Sequence, residues 1–323
     1  MENGLEQTLA PCWEALLRGR RFKFLPLQPL RPEMLGFFAK VRSMDIQKPL
    51  YKDLIEVDSI PPLPATAATL LMMVADPDVE IEALALVIER DPPLSARLLG
   101  IANSAFYAPP TPVMTMKEAI VRVLGLHMVR NMAFGMALAG GLSTSSCPRF
   151  DLTHYWVMAL GTADLASGMA RAATLPEPPD VDAAYLVGLL HNLGELLLVH
   201  LRPAEMDEAL RRLAADPDSS LIEHEREIIG IDHWAAGAFL ARHWQLPPIV
   251  GASIERFDDD SEPRDGKQII HLVRAARCWL AGVVAGRPGA LQVDGVDEAY
   301  CEQRSTDFFD RYDALRVLAR SMG

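Results

Sequence analysis

The chain has 323 residues, half of them hydrophobic, and a formal net charge of −12 at neutral pH. That apolar content can bury a sizeable core, and the length suits two lobes or one large helical domain with extensions, since domains commonly run to about 100–200 residues. An acidic surface repels a phosphate backbone, so nucleic-acid binding is disfavoured. Cys12, Cys147, Cys278 and Cys301 form no C-x-x-C pair. Scattered in this way they read as free thiols of a reducing cytosol rather than as a zinc site. The N-terminus is acidic where a secretory leader would be basic, and the longest apolar run, Met132 to Leu142, is too short to span a bilayer. Cytoplasmic residence without a membrane span is the expectation.

Helical periodicity dominates, and no alternating strand pattern occurs. The expected fold class is all-α, a two-lobed helical bundle. After Ile60-Pro-Pro-Leu-Pro64, a helix is predicted over 65–75, stopped by Asp76-Pro77-Asp78, and a second over 80–90. Asp91-Pro92 caps a third, because Asp accepts from free N–H groups and Pro suits a first turn. That helix ends near Asn103-Ser104, and the proline-rich stretch 105–115 is a loop. Helices follow at about 116–124 and 126–139, with Gly125 between them and Gly140-Gly141 as the stop. Residues 142–149 join two lobes. A long helix spans about 151–173, until Pro176, Pro178 and Pro179 break the pattern. Further helices are predicted at about 181–200, 204–215, 219–229, 232–244, 247–256, 266–285 and 305–321. Residues 255–265 make an acidic loop around Asp258-Asp259-Asp260. The expected organisation is an extension of unclear role over 1–50, a helical lobe over 51–145, a second lobe over 146–256, and a C-terminal helical extension over 257–323 packing on the second lobe. The basic cluster Arg18 to Lys23 reads as a solvated tail or as a contact for an anionic surface.

Chemistry concentrates in Gly188-Leu-Leu-His-Asn-Leu-Gly-Glu195, where polar His191 and Asn192 interrupt an apolar helix. Adjacent helical residues point about 100° apart, so both face one pocket only if neighbouring helices wrap it. Glu195 lies one turn past His191 on the same side. Gly188 and Gly194 permit close helix approach. Without a family context, a lone buried histidine is more often a hydrogen-bonded core residue than a ligand. His233 is either a pocket residue opposite His191 or a helix-start histidine packed on Trp234. The Asn103-Ser104 pair either binds a ligand or partner, or caps the helix that it follows. Met72, Met73, Met128, Met132 and Met136 recur at helical spacing, which by default means core packing. No phosphate loop and no nucleophile elbow occurs.

The Gly188–Glu195 segment is similar to the His-Asp signature of the HD superfamily of metal phosphohydrolases. More closely, the chain resembles the HDOD family, regarded as signalling output domains. The segments that carry the resemblance are Ile60–Pro64, Asp91-Pro-Pro-Leu-Ser-Ala-Arg97 leading to Ala102-Asn-Ser-Ala-Phe-Tyr107, Ala119–Leu126, Gly188–Glu195, Gly230-Ile-Asp-His-Trp234 and Trp244-Gln-Leu-Pro247. An active HD enzyme uses divalent cations held by histidine and carboxylate groups from several helices. Set against that pattern, the aspartate of the pair is Asn192, and Met158 replaces a histidine in Trp156-Val-Met158. Glu255-Arg256 stands near the place of paired histidines, and Arg274 near that of a last metal aspartate. A guanidinium there would repel a cation.

The resemblance therefore implies a non-catalytic regulatory module with no cofactor, in which Met158, His191, Asn192, Glu195, His233, Glu255, Arg256 and Arg274 line a vestigial pocket. Its partner would be a signalling protein or a small nucleotide-type ligand. Two rivals stand beside this reading. One is a residual phosphohydrolase with a single altered metal site. The other is a sensor in which Arg274 or Arg256 holds a phosphate.

Overall fold

Helix starts are set by local capping. In a computed structural model that describes residues 60–322 apart from 77, 217–218 and 258–266, aspartate or threonine oxygens accept the free N–H groups of several first turns, as helix termini require. Asp91 accepts from Leu94 N–H at 3.1 Å, Asp151 from His154 at 3.0 Å and Asp232 from Ala235 at 2.8 Å. Arg18–Lys23, Cys12 and Asp258–Asp260 lie outside the described residues.

The described residues form an all-helical unit with no strand among them. Its helices are α1 (Ala65–Val74), α2 (Ile81–Glu89), α3 (Pro92–Ala102), α4 (Met116–Ala119), α5 (Leu126–Ala139), α6 (Leu152–Ala172), α7 (Val181–Leu190), α8 (Leu193–Leu201), α9 (Pro203–Ala215), α10 (Leu221–Ile228), α11 (His233–His243), α12 (Pro248–Glu255), α13 (Lys267–Val284) and α14 (Glu298–Arg320).

Three differences from the sequence reading have physical causes. The helix predicted over 116–124 widens into a π-turn at Ile120–Leu124 and ends at Gly125, whose φ of +84° only glycine adopts readily. The helix predicted over 181–200 breaks at His191–Asn192. There Asn192 leaves helical geometry (φ −98°, ψ 16°) and its carbonyl receives Glu195 N–H, starting α8. The last helix begins at Glu298 rather than near 305, because Asp297 caps it by accepting from Tyr300 N–H at 3.1 Å. Within the methionine stripe, Met132 and Met136 are core residues, but Met72 is 58% exposed. Cys147, Cys278 and Cys301 are free thiols.

The centre of the unit is α6, buried almost continuously from Tyr155 to Ala170. Helices α7, α13 and α14 pack along it. Small residues allow this: a Cβ on Gly161 would lie 2.6 Å from Leu280 and 3.0 Å from Phe308, and one on Gly188 would lie 2.7 Å from the Ala163 Cα. Arg304 of α14 bridges to Asp164 at 2.7 Å, and Tyr300 donates to the Gly168 carbonyl at 2.9 Å. The apolar stretch Val181–Leu201 is long enough by length and composition to cross a membrane, but 83% of its most apolar window is buried in the bundle. Interrupted by His191–Asn192, it reads as core.

Candidate functional site

The break between α7 and α8 delivers His191 into the interior. Its Nδ1 lies 2.6 Å from the Gly188 carbonyl, so Nδ1 carries the proton and donates it there. Nε2 is then a bare lone pair, and it is buried without a partner. Burial, the nearby Arg277 cation and His233 together lower the His191 pKa to about 3, so the ring is neutral in the folded protein. Asn192 turns the other way. Its amide reaches the Tyr155 carbonyl of α6 at 3.4 Å, and its Oδ1 has no partner.

The opposite wall is the corner between α10 and α11. Gly230, with φ of +87°, turns the chain back, so that Glu225 and His233 meet. One Glu225 oxygen accepts both the His233 backbone N–H at 3.0 Å and the ring Nδ1–H at 2.6 Å. Both residues are buried. Burial works against a charged His233, but the Glu225 carboxylate and its hydrogen bond, helped by Glu195, outweigh it and raise the pKa above the ordinary histidine value. With Asp232, Glu225 also places negative charge at the N-terminus of α11, where the helix dipole favours it.

Between the walls lies an aromatic stack. Trp234 and Phe257 sit 4.3 Å apart at 18°, His191 stacks at 5.6 Å from Phe257 and 6.2 Å from Trp234, and the His233 ring is 4.3 Å from Trp234. The Arg277 guanidinium of α13 lies 4.9 Å over Trp234, a cation–π contact. It has no hydrogen bond or ion pair among the described residues.

The remaining residues expected in the pocket are only partly gathered there: Glu195 acts on His233, and the Arg274 guanidinium lies 6.0 Å over the Phe257 ring. Met158 is buried on α6 one turn past Tyr155, and Glu195 is half-buried on α8. Glu255 is exposed and pairs with Arg242 at 3.2 Å. Arg256 is exposed, and Arg274 donates to the carbonyls of Phe257 and Arg256 at 2.7 Å each. Arg274 therefore clamps the chain at the end of α12, and Arg277 is the arginine whose charge both pocket histidines feel. Away from this site, Asn103 exchanges two hydrogen bonds with the Val113 backbone, at 2.8 and 2.9 Å, and donates to the Leu99 carbonyl at 3.0 Å. It closes α3 onto the following loop. The Ser104 hydroxyl beside it is buried without a partner.

The family model of the HDOD domain matches residues 60–259. The chain belongs to the HDOD family. A protein of Treponema pallidum (strain Nichols) is 28% identical over 225 residues, 69% of this chain and 42% of that protein. Among solved structures, a provisionally named signal transduction protein from Marinobacter aquaeolei VT8 is 26% identical with a TM-score of 0.71, covering 90% of this chain and 65% of that one. A provisionally named phosphohydrolase from Shewanella amazonensis SB2B is 24% identical with a TM-score of 0.63, covering 83% and 97%. The chain thus spans under two thirds of the first two relatives' lengths, and the third shows the fold.

Metal-dependent HD relatives prompt a test of whether this HDOD site fits a divalent cation. The described donors do not. No group of three or more His, Cys, Asp or Glu residues is arranged to hold a metal among them. Of the two buried carboxylates here, Glu225 is bound to His233 through one oxygen and Asp232 pairs with Arg226 at 2.7 Å, and Arg277 brings positive charge to both histidines.

Sequence reasoning missed Glu225 and Arg277. Each nevertheless carried a signal. Glu225 falls on the apolar stripe of α10, three or four residues from Leu221, Ile222, Ile228 and Ile229. Arg277 does the same on α13 between Val273 and Leu280. A charge on an apolar stripe needs a buried partner or a ring to cover it.

The neutral state of His191 has a consequence for acid stability. The unfolded chain protonates this histidine near pH 6.5, the folded one only near pH 3. Its contribution is present above the unfolded value and lost as pH falls between the two, at about 1.4 kcal/mol per pH unit. Urea melts of wild type and His191→Phe at neutral and mildly acid pH should show a shallower acid loss in the variant. Equal slopes would show that His191 is not buried neutral.

Proposed function

We propose that this HDOD chain is a non-catalytic regulatory module of the cytoplasm, which binds a signalling protein or a nucleotide-type signal on an HD-like scaffold that has lost its metal site. One observation carries the reading: Glu225 and His233 pair through a single carboxylate oxygen while Arg277 covers the rings beside His191. An arrangement that closes a carboxylate on a histidine and adds a cation suits a fixed scaffold better than a Lewis-acid centre. The signal-transduction name of the Marinobacter relative supports the same reading.

Metal analysis of protein purified without chelator, with hydrolysis assays on cyclic dinucleotides and nucleotides in manganese or magnesium, tests this directly. The expected result is substoichiometric metal and no turnover. Stoichiometric tight metal, with hydrolysis abolished by His191→Ala, would overturn it. That result would favour the second reading, a residual single-metal phosphohydrolase, which draws on the two partnerless imidazole nitrogens, Nε2 of His191 and of His233.

A further inference from the structure

A second feature lies apart from the His191 site. A cavity of about 280 Å³ opens where the turn after α5 passes over α6. It is near the lower end of small-molecule sites, which run to roughly 300–1,000 Å³. Its walls come from Arg97 of α3, Ser143, Thr144 and Ser145 of the turn, Trp156 of α6 and Leu196 of α8.

The lining selects a ligand chemistry. Arg97 is the sole charged residue in it, in a chain of net charge −12. Its guanidinium is exposed and makes no ion pair or hydrogen bond among the described residues. Trp156 is only 3% exposed, yet its indole N–H has no partner there either. The turn adds hydroxyls: Ser143 and Ser145 bond to each other at 3.1 Å, and His200 Nδ1 accepts the Ser143 N–H at 3.0 Å, which fixes the turn in place. Hydroxyl-bearing residues and one cation therefore line the cavity with no carboxylate among them, while Trp156 and Leu196 contribute apolar side chains to its wall.

We propose that this cavity binds a small organic anion, a phosphate- or carboxylate-bearing molecule whose charged end meets Arg97 and whose apolar body lies against Trp156 and Leu196. Guanidinium and hydroxyl donors suit either oxyanion. The inference stands apart from the reading of the His191 site, and neither depends on the other.

The experiment follows the indole N–H resonance of Trp156 in the full chain, assigned by its loss in Trp156→Phe. Phenyl phosphate, benzoate and neutral benzyl alcohol are titrated separately. Saturable movement with phenyl phosphate or benzoate, and none with benzyl alcohol, is expected; the stronger of the two anions names the head group. Arg97 is exposed, so Arg97→Ala should leave the fold intact and weaken the anion about tenfold or more, the equivalent of one lost charge-assisted hydrogen bond. Arg97→Lys should recover part of that loss, and His191→Ala should leave binding unchanged. The proposal is overturned by no saturable movement with either anion at millimolar concentration, by equal response to benzyl alcohol, or by unaltered binding in Arg97→Ala.

Discussion

Glu225→Ala is expected to destabilise the protein by about 3–5 kcal/mol, the usual result of removing one partner of a buried pair. The carboxylate is fully buried and serves two donors at once, the His233 backbone N–H and the ring Nδ1–H. Truncation leaves both donors without an acceptor in a site that water does not reach, and it leaves a cavity beside α11. The comparison with Glu225→Gln separates charge from shape, because glutamine keeps an acceptor but not the charge. Folded His233 has a raised pKa owing to Glu225. The stability gained from the charged pair is therefore complete below the unfolded histidine value of about 6.5 and fades as pH rises through the folded value. In urea melts the gap between wild type and Glu225→Gln should shrink on going from mildly acid to alkaline pH. A loss under about 1 kcal/mol in Glu225→Ala, within the range of ordinary surface changes, would show that the pair is not formed.

The pairing also shows where sequence reading reached its limit. Most helices and their order were legible because periodicity and capping are local: Asp91, Asp151 and Gly125 act within one turn of where they stand. Asp297 acts by the same rule, but its helix carries a mixed face that hid the start. His191 and His233 stood out as polar residues in apolar runs. What joins them was not legible, because Glu225 reaches His233 across a glycine corner and Arg277 reaches Trp234 from a helix some forty residues on. Arg274 and Arg277 both reach the ring stack from α13, over Phe257 at 6.0 Å and over Trp234 at 4.9 Å. The apolar stripe marked Arg277, but the carbonyls of Phe257 and Arg256 that hold Arg274 lie across a turn that no local pattern announces.

The glycines behave differently, because close approach is a backbone property that the sequence could announce. Gly194→Ala is expected to cost about 3 kcal/mol or more, at or beyond the upper end of overpacking. A Cβ at Gly194 would fall 1.8 Å from the His233 carbonyl oxygen and 2.5 Å from the Gly237 nitrogen. These are backbone atoms, so no rotamer change relieves the clash; α8 and α11 must move apart. Gly237 faces Gly194 in return, with a Cβ there only 3.0 Å from the Gly194 nitrogen. The crossing is made by two glycines, and separating it draws His233 away from the aromatic stack that covers His191. Gly100→Ala is the matched control. Gly100 lies within α3 with nothing inside 4 Å of an added Cβ, so alanine there should gain about 0.5–1 kcal/mol through helix propensity alone. Opposite signs for the same chemical change, measured by urea midpoint, would show that contact at the crossing, rather than glycine's flexibility, fixes the site. A mild effect at Gly194 would mean that the two helices have room to spare, and the site's geometry would then have to be held by Glu225 and the ring stack alone.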